Sequence, residues 1–577
     1  MSKTLEVAII GVGPRGLAVL EALFLAKEEY KSSVSIQVLL FEDFKFPGAG
    51  PIWNPDQVIT NLSNVSERHL FSSLTGRKEI DYNGIYIPGF PSYAEWSQSE
   101  TQINESNIDY FSPRATLGLY LYERFESIKR SLVSTGSLTH IEQKVVKVSP
   151  FENQCKIIDV KNCVHIVDEV VLTVGHQNTQ LTNQLEKWKK HASENKSLKL
   201  FEDPYPVGAL ETSVINTNSI IALRGFGLTM IDQLRALTIG FGGEFVEDSD
   251  SELRYIPSEK GPKKILVFSL DGLPPVPKPL TAEIDNWFKP TENEYKAFRN
   301  SLDTALKEKQ NLKDATFFID ALATLNSSVY RRLGDKARQD TFENISLQTL
   351  FRDLIKNSQL SHILITDLTL PASEQMQLFV NMAVGNQEIS LDYCLGQVWR
   401  YVLGVIYKDY TYLDINEEVL VEIVQLIEAS KRYSYGPPVL SLQQLIAVHK
   451  AGVLDLNYVL DPKIKLHPDG WELYKNNKTC IADTLVNSVV DPPQLTAVTS
   501  KIITSLLADL YVNPVGHKLG LHTLKDGRLY RKTGEIIVHI AFLGRLAKGS
   551  VIGVDDLIEC FGKPVNRWAS GIFDRLK

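Results

Sequence analysis

Cysteine is scarce in this chain and never paired in sequence. Cys155, Cys163, Cys394, Cys480 and Cys560 lie far apart with no C-x-x-C spacing, which argues against a zinc knuckle or a redox dithiol and for isolated buried or surface thiols. No H-E-x-x-H or other helix-spaced pair occurs among the 11 histidines, so metal catalysis has no ligand set. Positive charge is not in excess either. A net charge of -8 gives no general attraction to phosphate backbones or anionic lipid. No apolar run reaches the length of a membrane span, and Met1-Ser2-Lys3-Thr4 leads into a strand without a signal-peptide core. These absences predict a cytoplasmic protein without nucleic acid, membrane or metal, acting on a small molecule. With 44% apolar and 23% charged residues, no long span reads as disordered. At 577 residues the chain exceeds one core, and about 150 residues per domain implies several domains.

What is present is most informative at the start. Val7-Ala8-Ile9-Ile10-Gly11-Val12-Gly13-Pro14-Arg15-Gly16-Leu17 reads as a buried strand running into a glycine turn and a helix. Gly11 allows the tight turn, Gly13 lets backbone approach a pyrophosphate, and Gly16 lets the helix pack closely on the strand. The helix N-terminus, opened by Pro14 and Arg15, then faces the anion. Three glycines alone occur by chance, so context decides. Ser35 to Phe41 is a second buried strand, with Glu42 at its end, where a carboxylate accepts both ribose hydroxyls and disfavours a 2'-phosphate. The alternative is a solvated Glu after an ordinary turn. The spacing points to FAD or NAD at this turn rather than NADP.

Further along, Phe46 to Pro55 is too rich in glycine and proline for a helix or central strand. Val58 to Asn64 forms another element, and a helix enters through Pro113. Residues 139–148 and 155–167 alternate as strands do. Glu169 to Val174 is a continuous apolar run ending at Gly175 and His176, the pattern of a buried parallel strand whose carboxyl end lies near the ligand if it joins the first sheet. His176 is a candidate general base; the plainer reading is a polar residue capping a turn.

A second unit follows the break at Asp203-Pro204-Tyr205-Pro206. Ser219 to Arg224 is its strand, Gly225-Phe226-Gly227-Leu228-Thr229 its turn, and Met230 to Leu237 its helix. Met230 stands where a third glycine belongs, and a long side chain there hinders close approach of the helix. The next strand, Lys263 to Phe268, has no basic residue at its end for a 2'-phosphate. Either NAD(P)H binds here or the unit is structural. From about 290 to 460 the pattern is helical, with an aromatic and proline loop from Arg432 to Pro438. Strand signals return at Gly534 to Arg545, and Asp555-Asp556 caps a final short helix.

The motifs Gly11 to Leu17, Pro113 to Leu121, Val171 to His176, Arg224 to Thr229 and Tyr435-Gly436-Pro437-Pro438 together resemble the FAD-NAD(P)-binding proteins related to FAD-dependent urate hydroxylases, and more distantly the class B flavin monooxygenases and amine N-hydroxylases. The resemblance implies an α/β fold with two dinucleotide-binding Rossmann-like domains, the second inserted in the first, plus a mainly helical region. Its expected parts are residues 1–210 (FAD domain, N-terminal part), 211–290 (NAD(P)-binding-like), 291–475 (helical cap) and 476–577 (completion of the FAD domain). It implies FAD on Gly11, Gly13 and Gly16, with Glu42 on the ribose and Asn61 and Arg114 toward the flavin. Asn61 joins His176 as a candidate catalytic side chain. Gly175 and Gly544 border FAD, and Gly225, Gly227 and Thr229 border NADH or NADPH. Many relatives end the last strand in Gly-Asp; this chain has Gly544-Arg545. The implied activity is a monooxygenase hydroxylating a small polar metabolite, against two alternatives: a flavin reductase or dehydrogenase without oxygen transfer, and an FAD-retaining scaffold or sensor without turnover.

Overall fold

An apolar run that ends abruptly on glycine is how a central parallel strand looks in sequence, and this chain has several. The computed structural model describes residues 4–98, 107–211, 215–248, 252–339 and 346–577; the expectation for Met1 to Lys3 lies outside them. In chain order the elements that position the site are β1 (Thr4–Ile10), α1 (Pro14–Glu29), β2 (Ser35–Phe41), α2 (Arg114–Ser134), β3 (Leu138–Ile141) and β4 (Glu169–Leu172). The second group is β5 (Lys199–Phe201), β6 (Ile220–Arg224), α3 (Leu228–Thr238) and β7 (Lys264–Phe268). Then come α4 (Leu391–Asp409), α5 (Glu417–Ser434), β8 (Leu454–Asp455), β9 (Thr484–Asn487), β10 (Arg528–Tyr530), β11 (Ile536–Phe542) and α6 (Lys563–Leu576).

One 6-stranded sheet has the order β10-β11-β4-β1-β2-β3. All its neighbours are parallel except β10 with β11. A 5-stranded sheet has the order β5-β9-β6-β7-β8 and is parallel throughout. The second sheet lies between two halves of the first, so the α/β fold with one unit inserted in the other is as expected. Side chains of β1 alternate between two cores: Val7 and Ile9 pack toward α1, α2 and α6, whereas Ala8 and Ile10 face the opposite layer. Burial on both faces explains the unbroken apolar run.

Helices from 292 to 450 cover the second sheet and share its core, which contains Ile221, Leu223 and Met230. Met230 is fully buried: a long side chain after the second turn fills this core, where a glycine would have left a gap. At the first unit, buried Glu21 of α1 takes Arg77 at 2.9 Å and Arg124 of α2 at 2.7 Å.

Three expectations need correction. The borders at 210 and 475 cut through the second sheet, because β5 precedes one and β9 follows the other, yet both pair in it. Composition cannot register hydrogen bonding between such distant segments. Val58 to Asn64 is no regular element; it is turns and bends, with a single bridge from Leu62 to Pro113. Arg432 to Ser434 close α5 rather than opening a loop, since Tyr433 and Ser434 are buried and continue the helical face.

Candidate active site

Strand register builds the site. Ile10 pairs with Leu172, and Leu172 with Phe542, so the segments that follow these three residues leave one edge of the sheet together. That edge is the carboxyl end, where ligands of open α/β sheets bind. Gly11 turns there with φ +87°, and a Cβ on it would stand 2.9 Å from Thr173 O. A Cβ on Gly16 would strike the carbonyl oxygen of Gly11, which fixes the close approach of α1 to β1. Gly13 differs: a Cβ there meets nothing within 4 Å. Gly13 is the N-cap of α1, no side chain caps the helix start, and Pro14 occupies the first helical positions. The open space therefore faces unsatisfied main-chain N–H groups and the positive end of the helix dipole. This is a backbone-lined cradle for an anion.

Glu42 folds back on the same turn. Its carboxylate accepts from Val12 N at 2.6 Å and Phe44 N at 2.9 Å, leaving each oxygen a further lone pair. Arg15 is buried and paired with Glu559. Gly544, at φ +123°, lies against that side chain, and a Cβ would stand 3.4 Å from Arg15 Cδ. Arg15 thus joins the first turn to the C-terminal segment. Gly175, at φ +66°, has open space around it.

His176 borders a cleft with Pro492, Pro493 and Arg545 of about 10 Å³, barely room for one water. The cleft wall and the Arg545 guanidinium push its imidazole down to about 4. Asn61 is buried; its amide donates to Gln57 Oε1 at 3.0 Å, while its Oδ1 has no partner. Arg114 Nε donates to Leu62 O at 3.1 Å, one terminal nitrogen reaches Tyr205 Oη at 3.3 Å, and the other pairs with Asp232 of α3. Tyr205 donates to the same Asp232 at 2.8 Å. Burial and Asp232 push the Tyr205 phenol up to about 12, so it remains a donor. Arg114 therefore bridges the Leu62 segment of the first unit and Asp232 of the second.

That contact sits beside the second turn. Gly225 has φ +125°, and Gly227, like Gly13, caps its helix with no neighbour for a Cβ. Thr229 follows in the first turn of α3 and is buried. A cavity of about 340 Å³ opens next to Tyr205, lined also by Phe201, Asp203, Gln233 and Val486. Register brings Gly11, Gly175 and Gly544 to one edge, while Gly225, Gly227 and Thr229 belong to the other sheet. Sequence reading missed Tyr205, Asp232 and Glu559. The one available signal was Asp232, a carboxylate on the apolar face of a short helix. Among the described residues no group of His, Cys, Asp and Glu could hold a metal ion, and no helix is long and apolar enough to cross a membrane.

Residues 8–177, which carry the complete glycine turn and Gly175, match the model of the FAD-NAD(P)-binding family. A nitrosuccinic acid synthase of Aspergillus oryzae is 27% identical over 260 residues, 45% of this chain and 39% of its own. An L-aspartate N-monooxygenase (nitrosuccinate-forming) of Streptomyces davaonensis is 25% identical over 281 residues, 44% of this chain and 42% of its own. The chain thus spans about two fifths of the length of these relatives. The solved structure of an ornithine hydroxylase from Pseudomonas aeruginosa is 11% identical, with 100% of both chains covered and a TM-score of 0.44.

Proposed function

We propose that the protein is an FAD-dependent, NAD(P)H-using monooxygenase of the cytoplasm, oxidising a small polar metabolite, with an amino acid of aspartate's size as the first candidate. The observation that carries this reading is the open cradle at Gly13 inside the segment that matches the FAD-NAD(P)-binding family. The relatives named for aspartate N-oxidation supply the substrate class.

The main-chain N–H groups of Gly13, Arg15 and Gly16 at the start of α1 would hold the pyrophosphate, with Gly11 supplying the turn and Pro14 the helix start. Glu42 would accept from the ribose with its remaining lone pairs, without giving up Val12 and Phe44. The unpartnered Oδ1 of Asn61 would accept from a ring N–H, and Gly175 and Gly544 leave room for a ligand against the sheet edge. Gly225, Gly227 and Thr229 would hold NADH or NADPH in the same way. A flavin bound at the first turn supplies electron transfer and oxygen activation; the protein supplies binding, orientation and exclusion of water. His176, exposed at the sheet edge, is assigned no step.

The test is anaerobic stopped-flow reduction of the purified holoprotein by NADH and NADPH, followed by oxygen uptake and product analysis with L-aspartate and other small amines. Rapid reduction with substrate-coupled oxygenation is expected. A colourless protein that refuses FAD would overturn the reading. Hydrogen peroxide release without oxygenated product would mark a reductase. A second reading, a flavin-retaining scaffold, draws on the Arg114–Asp232 contact, which ties the two units together; absence of flavin reduction by either nucleotide would favour it.

A further inference from the structure

Among the described residues Lys278 is a half-buried lysine with no carboxylate partner. Lys278 lies in Pro274-Pro275-Val276-Pro277-Lys278-Pro279, an extended strap crossing from the second sheet to the helices. The strap is held at several points. Val276 N donates to Arg432 O at 3.1 Å, Lys278 N to Pro437 O at 3.0 Å and Leu280 N to Ala383 O at 2.9 Å. Gln397 of α4 donates to Pro277 O at 3.2 Å. Gly436 is required there, because a Cβ would run into Val276 O. A main chain fixed so tightly aims the lysine side chain with little freedom.

The Lys278 ammonium donates to Gly436 O at 2.5 Å and to Asn64 O in the loop after Asn61. It therefore stands where the first unit, the strap and the helical region meet. Its two main-chain acceptors leave a third N–H unassigned. Of the carboxylates around it, Asp285 and Asp109 are already taken by arginines. Asp285 takes Arg400 at 2.9 Å and Arg68 at 3.1 Å, and Asp109 takes Arg68 at 2.8 Å. Asp556, the other carboxylate in reach, accepts from Ile558 N at 2.9 Å. Among the described residues no carboxylate pairs with Lys278. Burial and the nearby Arg400 disfavour its charged form, and an anion at the unassigned N–H would favour it.

We infer that Lys278 anchors the carboxylate of the small substrate, making it a specificity-determining residue of the active site. The inference deepens the monooxygenase reading and rests on it. The anion is an oxygen acid in either case, and phosphate of FAD or of the nicotinamide nucleotide is the competing source.

The experiment uses the full-length holoprotein, Lys278→Met and Lys278→Arg. Equilibrium binding of L-aspartate and of succinate, which lacks the amine, is measured by titration calorimetry beside FAD content, melting temperature and anaerobic flavin reduction. The expected result is that Lys278→Met weakens both carboxylates by at least about tenfold, that Lys278→Arg recovers part of the loss, and that FAD content and reduction rates stay unchanged. Loss of FAD in Lys278→Met would assign the lysine to the cofactor phosphate, and loss of reduction alone would assign it to the nicotinamide nucleotide. Either outcome overturns the inference, as does carboxylate binding unchanged by the substitution. A wild-type holoprotein that is reduced normally but binds neither carboxylate also overturns it, while leaving the flavin reading intact.

Discussion

A side chain at position 13 would point into empty space, so a substitution there separates ligand binding from folding. Gly13→Glu is expected to give a folded protein without FAD, because its carboxylate occupies the place of the pyrophosphate; the flavin-to-protein absorbance ratio of the purified variant measures this, with circular dichroism as control. The three glycines of the first turn were legible in sequence because each answers a different backbone demand. Arg15 and Arg114 were legible only as charges. Their partners were not, since Glu559 and Asp232 lie far away in the chain. A like case is Asp285. Burial opposes its ionisation, yet Arg400 and Arg68 outweigh burial and bring it from 3.8 to about 2. Its contribution to stability is therefore full above about pH 4 and lost as pH falls toward 2. Asp285→Asn is expected to cost on the order of 2 kcal/mol at neutral pH. In urea unfolding the gap to wild type should close as the pH is lowered through that window.

Elements were legible where burial is two-sided. β1, β2 and β4 each show an apolar run ending at a turn, because both faces of a parallel strand are covered. β5 and β9 are three and four residues long, too short for any periodicity to show, and so the second sheet was drawn too narrow. α1 carries a further feature that no pattern announces: Glu21, on its buried face, neutralises Arg77 and Arg124 together. Removing that carboxylate leaves two guanidiniums buried without a counter-charge, which costs far more than the pair contributes. Glu21→Ala is expected to lose about 3 to 5 kcal/mol, read as a lower urea midpoint. Glu21→Gln, which keeps one acceptor oxygen for Arg77 and Arg124 Nε but sets an NH2 against Arg124 Nη2, should fall between.

At the scale of the whole molecule, the two glycine turns were legible in the sequence, while the insertion of one sheet unit within the other came from the family resemblance. How the units join was legible in neither. Arg114, at the entry to α2, crosses to Asp232 on α3, with Tyr205 donating to the same carboxylate, so one buried ion pair spans from the first sheet's helices to the second's. If this contact couples the units, its removal must show in their cooperativity as well as in their stability. A double-mutant cycle of Arg114→Ala and Asp232→Ala is expected to give a coupling of about 2 kcal/mol. Calorimetric unfolding of either single variant should broaden or split into two transitions, each unit then melting on its own core. A single sharp transition in all variants, with additive losses, would mean that the shared apolar surface alone holds the units together and that the ion pair only orients Arg114 beside the second turn.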